Sequence, residues 1–257
     1  MKRHDLLSEL HRVYRPRTYL EVGVNDGRSL ALSKAKSIAV DPAFKVTSPI
    51  SCDVRLVRAT SDGYFDRPKA VDFFPHRLID LAFIDGMHLF EFALRDFINI
   101  ERFSRWSSVV AFDDMLPRNI DEAARDRHTG PWTGDVYKLA DVLREHRPDL
   151  VPVVLDTQPT GQLLVFGADP DSRVLHNLYD SLIEKWVVTD PQDVPDRVLT
   201  RSEAVDPVAF LAAQFWRELV VARHRRIGPR GSWSALRPKI EQAVLASRRS
   251  VSSAPSG

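Results

Sequence analysis

The stretch Thr18–Leu30 constrains the fold more than any other part of this 257-residue chain. It begins with a predicted buried strand whose apolar residues are Tyr19, Leu20 and Val22. It continues through a turn bracketed by Gly23 and Gly27 and reaches a position at Ser29 where a helix can start. Because glycine has no Cβ, such a turn lets backbone N–H groups and a helix N-terminus approach a ligand closely. In open α/β sheets, a nucleotide-like cofactor usually binds at this first strand-to-helix turn.

Short apolar strands then alternate with helical segments. A helix is predicted over 29–36, and later segments carry apolar residues at helical spacing. The predicted strands after the first one are 37–40, 54–59, 78–84 and 109–112. This βαβα order predicts an α/β fold with a mostly parallel sheet covered by helices on both faces.

Polar residues follow the second and third strands. Asp41 lies twenty residues after Glu21, where a carboxylate can accept hydrogen bonds from ribose hydroxyls. A turn-forming Asp before Pro42 is the alternative interpretation. Ser61 and Asp62 follow the third strand and are candidates for the adenine end of a cofactor, although they can equally cap the next helix.

An acidic cluster is expected at the ends of the fourth and fifth strands. Asp85 and His88 follow the fourth strand, and Asp113 and Asp114 follow the fifth. Neighbouring parallel strands end at one edge of the sheet, so these side chains should lie together. Three carboxylates in a cleft repel one another unless a cation lies between them, and Mg²⁺ prefers oxygen ligands. His88 is a candidate general base for a substrate hydroxyl. The structural alternative is that Asp85 and Asp113 cap helices and that His88 is a polar loop residue.

The order of four motifs resembles that of a known enzyme family. The chain is similar to class I S-adenosylmethionine-dependent methyltransferases, and among them to metal-dependent O-methyltransferases that act on sugars and other natural-product hydroxyls. The matching motifs are Glu21-Val-Gly-Val-Asn-Asp-Gly27, Asp41-Pro42, Ile84-Asp-Gly-Met-His88 and Phe112-Asp-Asp114. The resemblance implies a Rossmann-like, seven-stranded sheet that ends in an antiparallel hairpin, for which 151–155 and 161–166 are suited.

The resemblance also implies a cofactor, a metal and roles for particular residues. The implied cofactor is S-adenosylmethionine, and the candidate residues that bind it are Glu21, Gly23, Asn25, Gly27, Asp41, Ser61, Asp62 and Asp85. The implied metal is Mg²⁺ or another divalent cation, ligated by Asp85, Asp113 and Asp114. His88 would be the general base toward a hydroxyl of a small molecule. Two positions depart from the pattern: Asn25 replaces the commoner glycine, and Asp114 replaces the amide of catechol-type relatives.

A long polar loop over 116–135 precedes the predicted helix that starts at Asp135. Loops of this length at the edge of a sheet are often lids or substrate-binding segments. Asn119, His128 and Trp132 are therefore candidates for contact with the acceptor, with an ordinary surface loop as the alternative.

The domain organisation follows from pattern and charge. We expect a cofactor-binding domain over 1–168, which opens with an amphipathic helix, and a helical extension over 169–222 that covers the sheet or substrate or forms a dimer contact. An apolar-striped helix is predicted over 208–221. Residues 223–257 carry eight Lys or Arg and one acid and are expected to form a basic, partly disordered tail.

Composition limits the environment and the partners. Cys52 is the single cysteine, so an intramolecular disulfide is excluded. With no segment resembling a signal peptide and no long apolar run, a cytoplasmic protein is expected. The basic tail could bind nucleic acid, but the rest of the chain is acidic and the tail has no interleaved aromatic platform, which argues against it. A homo-oligomer is left open, and no membrane partner is expected.

Two other functions remain open from the residues alone. A nicotinamide-dependent oxidoreductase would use the same turn and the same ribose carboxylate, but it gives no role to three acids at neighbouring strand ends. A non-catalytic or repurposed member of the methyltransferase fold would bind the cofactor without turnover.

Overall fold

The computed structural model describes residues 1–224 and 229–248. Seven strands form a single sheet in the order β3-β2-β1-β4-β5-β7-β6. Their bounds are Thr18–Val22 (β1), Lys36–Val40 (β2), Val54–Val57 (β3), Leu81–Ile84 (β4), Val109–Phe112 (β5), Val151–Leu155 (β6) and Gln162–Phe166 (β7).

The sheet is mixed in the way the sequence predicts. Strands β1 to β5 pair in parallel, whereas β7 is antiparallel to both β5 and β6. The expected Rossmann-like seven-stranded sheet with a final antiparallel hairpin is therefore confirmed. The central strands β1, β4 and β5 are buried along their whole length, as parallel strands covered on both faces must be.

Helices cover the sheet on both faces. One face packs against α2 to α6, and the other packs against α1, α7, α8 and α9. The helix bounds are Arg3–Tyr14 (α1), Ser61–Phe65 (α2), Phe90–Glu101 (α3), Lys138–His146 (α4), Val174–Trp186 (α5), Asp196–Leu199 (α6), Pro207–Leu211 (α7), Phe215–His224 (α8) and Pro229–Ser247 (α9). The C-terminal extension thus contributes helices to both layers, and a role in covering substrate or in dimer contact stays a prediction.

The helix predicted over 29–36 is wrong. The structure has a single 3₁₀ turn at Leu30–Leu32. The Ser33 hydroxyl accepts a hydrogen bond from the Ala35 N–H at 3.1 Å, which offers the backbone an alternative to helical pairing. The chain then enters β2 at Lys36.

The single helix predicted over 208–221 is also wrong, because α7 and α8 are separate. The rings of Phe210, Phe215 and Trp216 all lie within 6.1 Å of the Phe166 ring, measured between centroids. Residues five and six positions apart do not share a face of one α-helix. The break between α7 and α8 therefore lets all three rings pack on β7.

The described part of the basic C-terminal segment is a helix. α9 contacts α7, α8 and β6, and Leu236 and Ile240 are buried in the core on that face. The basic, partly disordered tail was expected over 223–257, of which 225–228 and 249–257 lie outside the described residues. Among the helices that the structure describes, none is both long and apolar enough to cross a lipid bilayer.

Candidate active site

The central strands end at one level. The register places the last residues of β1, β2, β4 and β5 opposite one another. The residues that follow these strands are Gly23, Asp41, Asp85 and Asp113. β1 lies between β2 and β4, so the order of the strands reverses there, which is where open α/β sheets bind ligands.

His88 lies between two carboxylates of this edge. Its Nε2 is 3.0 Å from Asp85 Oδ1, and its Nδ1 is 3.1 Å from Asp114 Oδ2 and 2.9 Å from the carbonyl oxygen of Trp132. All three neighbours are hydrogen-bond acceptors, so both ring nitrogens donate. His88 is therefore an imidazolium in this arrangement.

The long loop holds His88 in place. The His88 backbone has a φ of 56°, and a Cβ at Gly134 would lie 1.7 Å from the His88 carbonyl oxygen, so the loop passes directly against it. The Trp132 ring stacks on the imidazole, with a centroid distance of 5.2 Å and an interplanar angle of 13°. The loop thus supplies both a hydrogen-bond acceptor and a stacking ring to the histidine.

The other two candidates of the loop bond within it. Asn119 Oδ1 accepts from the Glu122 N–H at 2.9 Å, which caps a turn. His128 is exposed, and its Nδ1 lies 2.8 Å from the carbonyl oxygen of Asp126. Neither contact links these side chains to the acidic cluster.

A second cation in the cluster comes from the start of α1. Arg3 Nη1 lies 3.1 Å from Asp85 Oδ2 and 2.5 Å from Asp113 Oδ2. The repulsion expected among the acids is therefore relieved by Arg3 and His88. A cation among these acids was expected from the sequence, but Arg3 was not among the candidate residues.

The electrostatics of the cluster follow from burial and these contacts. Burial acts to lower the pKa of His88, but the hydrogen bond to Asp85 and the charges of Asp114 and Asp85 outweigh it and raise that pKa to about 9. Burial acts to raise the pKa of Asp85, but His88 and then Arg3 outweigh it and lower that pKa. For Asp113, burial and the charges of Asp85 and Asp114 raise the pKa against the opposing charge of Arg3.

The donor set is compatible with a divalent cation. Carboxylate oxygens are the ligands that Mg²⁺ prefers. Ligand atoms of Asp85, His88 and Asp114 lie within 4.8 Å of one another. Asp113 Oδ1 is buried without a hydrogen-bond partner in the described structure, so one donor oxygen is available. Oxygens of Asp85 and Asp114 are already bonded to Arg3 or His88, so a bound cation would have to replace those contacts.

The glycine turn lies directly against this cluster. Gly23 has a φ of 87°, and a Cβ there would lie 1.9 Å from the Asp85 carbonyl oxygen. Gly27 has a φ of 81°, and a Cβ there would lie 3.0 Å from a methyl group of Val46. Asn25 also has a positive φ, of 48°. Close packing against the Asp85 backbone requires glycine at Gly23, and the positive φ favours glycine at Gly27. The ligand-binding role of the turn stays a prediction.

The Asp41 carboxylate hydrogen-bonds to backbone amides of the glycine turn and of the segment after β2. Its Oδ2 accepts hydrogen bonds from the N–H groups of Val24 and Asn25, each at 2.9 Å, and its Oδ1 accepts from the Ala43 N–H at 2.6 Å. These contacts are the turn-forming role given above as the alternative. Binding of a ribose by Asp41 stays a prediction that these bonds do not support.

Glu21 is fully buried beneath the same turn. Its carboxyl accepts hydrogen bonds from the Tyr19 hydroxyl at 2.5 Å and the Ser29 hydroxyl at 2.8 Å. Burial raises the pKa of Glu21 to about 8, against the effect of these hydrogen bonds. The residue holds β1 to the segment after the turn, and its contact with a cofactor stays a prediction.

Ser61 and Asp62 lie at the start of α2 and contact α3. Asp62 Oδ1 accepts from Arg95 Nε at 2.7 Å, and the Ser61 side chain hydrogen-bonds to Asp96. Thr60 is the residue that caps the helix, through the Gly63 N–H at 3.1 Å. These contacts do not test whether Ser61 and Asp62 bind the adenine end of a cofactor, which stays a prediction.

A sequence signal for Arg3 does exist. α1 and β1 are joined by three residues, so the helix must run back along the strand. A helix of 12 residues at about 1.5 Å per residue reaches roughly as far as the strand does, so its first residue comes to the edge where the strand ends. A basic residue at that position is therefore expected to meet the acids.

Among known proteins, this chain is similar to solved structures of low sequence identity. No family model matches the chain, and no curated protein matches it. An O-methyltransferase from Bacillus cereus in complex with SAH has a TM-score of 0.47 and 15% identity, covering 64% of this chain and 80% of that one. TomG from Streptomyces achromogenes, an O-methyltransferase involved in tomaymycin synthesis, has a TM-score of 0.45 and 18% identity, covering 65% and 79%. SAH-bound methyltransferase PaMTH1 from Podospora anserina has a TM-score of 0.45 and 15% identity, covering 65% and 78%. What this chain does has to be inferred from its own site.

Proposed function

We propose that this protein is an S-adenosylmethionine-dependent, divalent-metal-dependent O-methyltransferase that acts on a hydroxyl of a small molecule such as a sugar or another natural product. The observation that supports it is the meeting of the Gly23–Gly27 turn with Asp85, His88, Asp113 and Asp114 at one edge of the sheet. A cofactor at the turn and an acceptor at the acids would be in contact with each other.

Methyl transfer from a sulfonium is an in-line displacement, so the protein's main task is to position the acceptor oxygen behind the methyl carbon. Asp85, Asp113 and Asp114 are the residues that would hold Mg²⁺. A cation there would orient the acceptor oxygen with a neighbouring oxygen and lower the pKa of the hydroxyl. A vicinal diol or a catechol is the acceptor that suits this arrangement.

His88 is the proposed general base, and its surroundings indicate which nitrogen acts. The Trp132 carbonyl oxygen accepts from Nδ1 and keeps a proton there, so Nε2 is the nitrogen that can accept the hydroxyl proton. In the present arrangement Asp85 and Asp114 stabilise the imidazolium. When these carboxylates serve as ligands instead, they stabilise it less and the neutral ring becomes available.

An assay of methyl transfer to a panel of diols and catechols tests the proposal. We expect His88→Gln and Asp113→Ala to lower turnover by about 10² or more while S-adenosylmethionine still binds. His128→Gln, which changes an exposed histidine of the long loop, is the matched control and should retain full turnover. Unchanged turnover in Asp113→Ala would contradict the metal assignment.

Two observations favour a second candidate, a non-catalytic protein with this fold. Arg3 is bonded to the carboxylates that would ligate the metal, and the Asp41 carboxylate already accepts hydrogen bonds from the backbone amides of Val24 and Asn25. This candidate predicts binding of the cofactor with no methyl transfer to any acceptor.

The division into a cofactor domain over 1–168 and an extension that covers substrate is part of the proposal for the catalytic protein.

A further inference from the structure

Arg3 places a fixed positive charge among the carboxylates proposed as metal ligands. One nitrogen, Nη1, contacts both Asp85 Oδ2 and Asp113 Oδ2, so the guanidinium bridges the ends of β4 and β5. The Arg3 side chain is 30% exposed, whereas that of Asp113 is 1% exposed. The Arg3 side chain is therefore partly exposed to solvent, whereas the Asp113 carboxylate that it contacts is buried.

The backbone around Arg3 is anchored. The Arg3 N–H donates to the Gln158 carbonyl oxygen at 3.1 Å, and the Gln158 N–H donates to the Met1 carbonyl oxygen at 2.9 Å. Further along α1, Leu6 and Leu10 are completely buried. The position of Arg3 at the site follows from the packing of the whole helix and not from a loose surface side chain.

Arg3 occupies carboxylate oxygens that a divalent cation at this edge would use. Both oxygens of Asp85 are engaged, Oδ1 by His88 and Oδ2 by Arg3, so a cation ligated by Asp85 must replace one of these contacts. Asp113 Oδ1 has no hydrogen-bond partner in the described structure, but a cation bound there would lie beside the guanidinium that contacts Oδ2 of the same carboxylate. Ligand distances for Mg²⁺ are about 2.1 Å, which brings the two positive groups close together. Two cations cannot share these oxygens without strong mutual repulsion.

We propose that Arg3 competes with the divalent cation for Asp85 and Asp113, so that metal binds only when the Arg3 side chain leaves the cluster. This inference rests on the proposed function, because that function supplies the cation. The coupling is reciprocal: whatever holds Arg3 in place weakens metal binding, and bound metal weakens the hold on Arg3. The first turn of α1 therefore sets the affinity of the site for metal.

Titration of the full chain with Mn²⁺ alone, followed by electron paramagnetic resonance of the free ion, tests the competition. Arg3→Met removes the charge and keeps an unbranched apolar stem, and we expect it to bind Mn²⁺ at least tenfold more tightly than the wild type. Arg3→Lys keeps the charge and should bind like the wild type. Arg12→Met is the control, because Arg12 is an exposed residue of the same helix whose partner is Glu9, and it should leave the affinity unchanged.

The outcomes separate this inference from the proposed function. Equal affinity in the wild type and in Arg3→Met overturns the competition and leaves the methyltransferase proposal standing. Tighter binding in Arg3→Met with no binding of S-adenosylmethionine overturns the proposed function and supports the competition. Absence of Mn²⁺ binding in every variant overturns both the metal assignment and the competition.

A second measurement keeps the competition testable if Arg3→Met does not fold. The hydrogen-bonded guanidinium signal of Arg3 can be assigned in nitrogen-15 spectra by its loss in Arg3→Lys. We expect saturating Mg²⁺ to shift that signal to the position of a solvent-exposed arginine. A signal that is unchanged by saturating Mg²⁺ would overturn the proposal.

Discussion

A Cβ atom at Gly23 would lie 1.9 Å from the carbonyl oxygen of Asp85. The turn after β1 and the end of β4 are thus in direct backbone contact, with Gly23 at a φ of 87°. Any displacement of the turn must move the first acid of the cluster. The two halves of the proposed site, the cofactor turn and the acids, are consequently one packed unit.

Gly23→Ala should destabilise the fold by about 3 kcal/mol or more, because the new methyl group meets a backbone oxygen and the positive φ is unfavourable for alanine. Urea unfolding monitored by circular dichroism measures the loss. Gly130→Ala is the control, since a Cβ at that exposed position meets no atom within 4 Å. Equal stability of the Gly23→Ala and Gly130→Ala variants would mean that the turn is not held against β4.

The stability of the protein should fall as the pH rises from about 4.5 to about 8, through Glu21. Burial raises the folded-state pKa of Glu21 to about 8, from an ordinary value of 4.5. Between these two pH values the folded chain keeps a proton that the unfolded chain has lost. The free energy of unfolding therefore falls as the pH rises, by at most roughly 5 kcal/mol in total by pH 8.

Glu21→Gln should remove this slope, since a neutral amide can still hydrogen-bond to the Tyr19 and Ser29 hydroxyls. Free energies of unfolding measured in urea from pH 5 to pH 9 provide the test. Glu184→Gln, at an exposed position on α5, should keep the slope of the wild type. A Glu21→Gln protein with the same pH dependence as the wild type would show that Glu21 is ionised when folded.

Acid should destabilise the protein through His11. Burial lowers the pKa of His11 from 6.5 to about 4, and its Nε2 has no hydrogen-bond partner in the described structure. Its ring packs edge-on against Tyr19, with a centroid distance of 4.9 Å. The unfolded chain binds a proton at a higher pH than the folded chain does. The contribution of His11 to stability is therefore full above pH 6.5 and is lost, by about 3 kcal/mol, as the pH falls through 6.5 to 4, opposite in sign to that of Glu21.

Histidine titrations followed by nuclear magnetic resonance check this directly. The His11 signal should not shift above pH 5. A His11 signal that titrates near pH 6.5 in the folded protein would contradict the burial argument.

Trp132→Ala should lower methyl transfer by up to about tenfold, because a stacked aromatic pair is worth roughly 0.5 to 1.5 kcal/mol. The substitution removes the indole ring that stacks on His88 but keeps the Trp132 backbone carbonyl, which accepts from His88 Nδ1. Trp132→Phe keeps a ring and should retain most of the turnover. Steady-state rates at saturating S-adenosylmethionine separate the two variants, and equal rates in both would exclude a role for stacking.

The sheet and the position of the acids could be predicted from the sequence because each depends on a local pattern. Apolar runs of four or five residues that end in Asp41, Asp85 and Asp113 indicate strands whose ends meet. The hairpin at 151–166 came from the resemblance. The parallel strands and the acids at their ends follow from burial and strand order, which short apolar stretches of sequence indicate.

Other features depend on contacts between distant residues and could not be predicted in this way. The sequence left a ribose-binding and a turn-forming role open for Asp41, and only the structure shows that its carboxylate is bonded to the amides of Val24 and Asn25; ribose binding stays a prediction. The contact of Arg3 with Asp113 joins residues 110 positions apart, and its sequence signal, the three-residue connection between α1 and β1, indicates it only once α1 is placed alongside the sheet. The break between α7 and α8 arises from three rings that pack on Phe166. Each of these needs the relative placement of whole elements, which residue patterns do not specify.

We propose that the turn at Gly23–Gly27 and the acids beside it bind a sulfonium cofactor. Calorimetric titration of the purified protein with S-adenosylmethionine, with and without Mg²⁺ and with NAD as the control ligand, measures this binding. We expect micromolar binding of S-adenosylmethionine and no heat from NAD. Binding of NAD instead, or of neither ligand, would show that the turn does not bind the sulfonium cofactor.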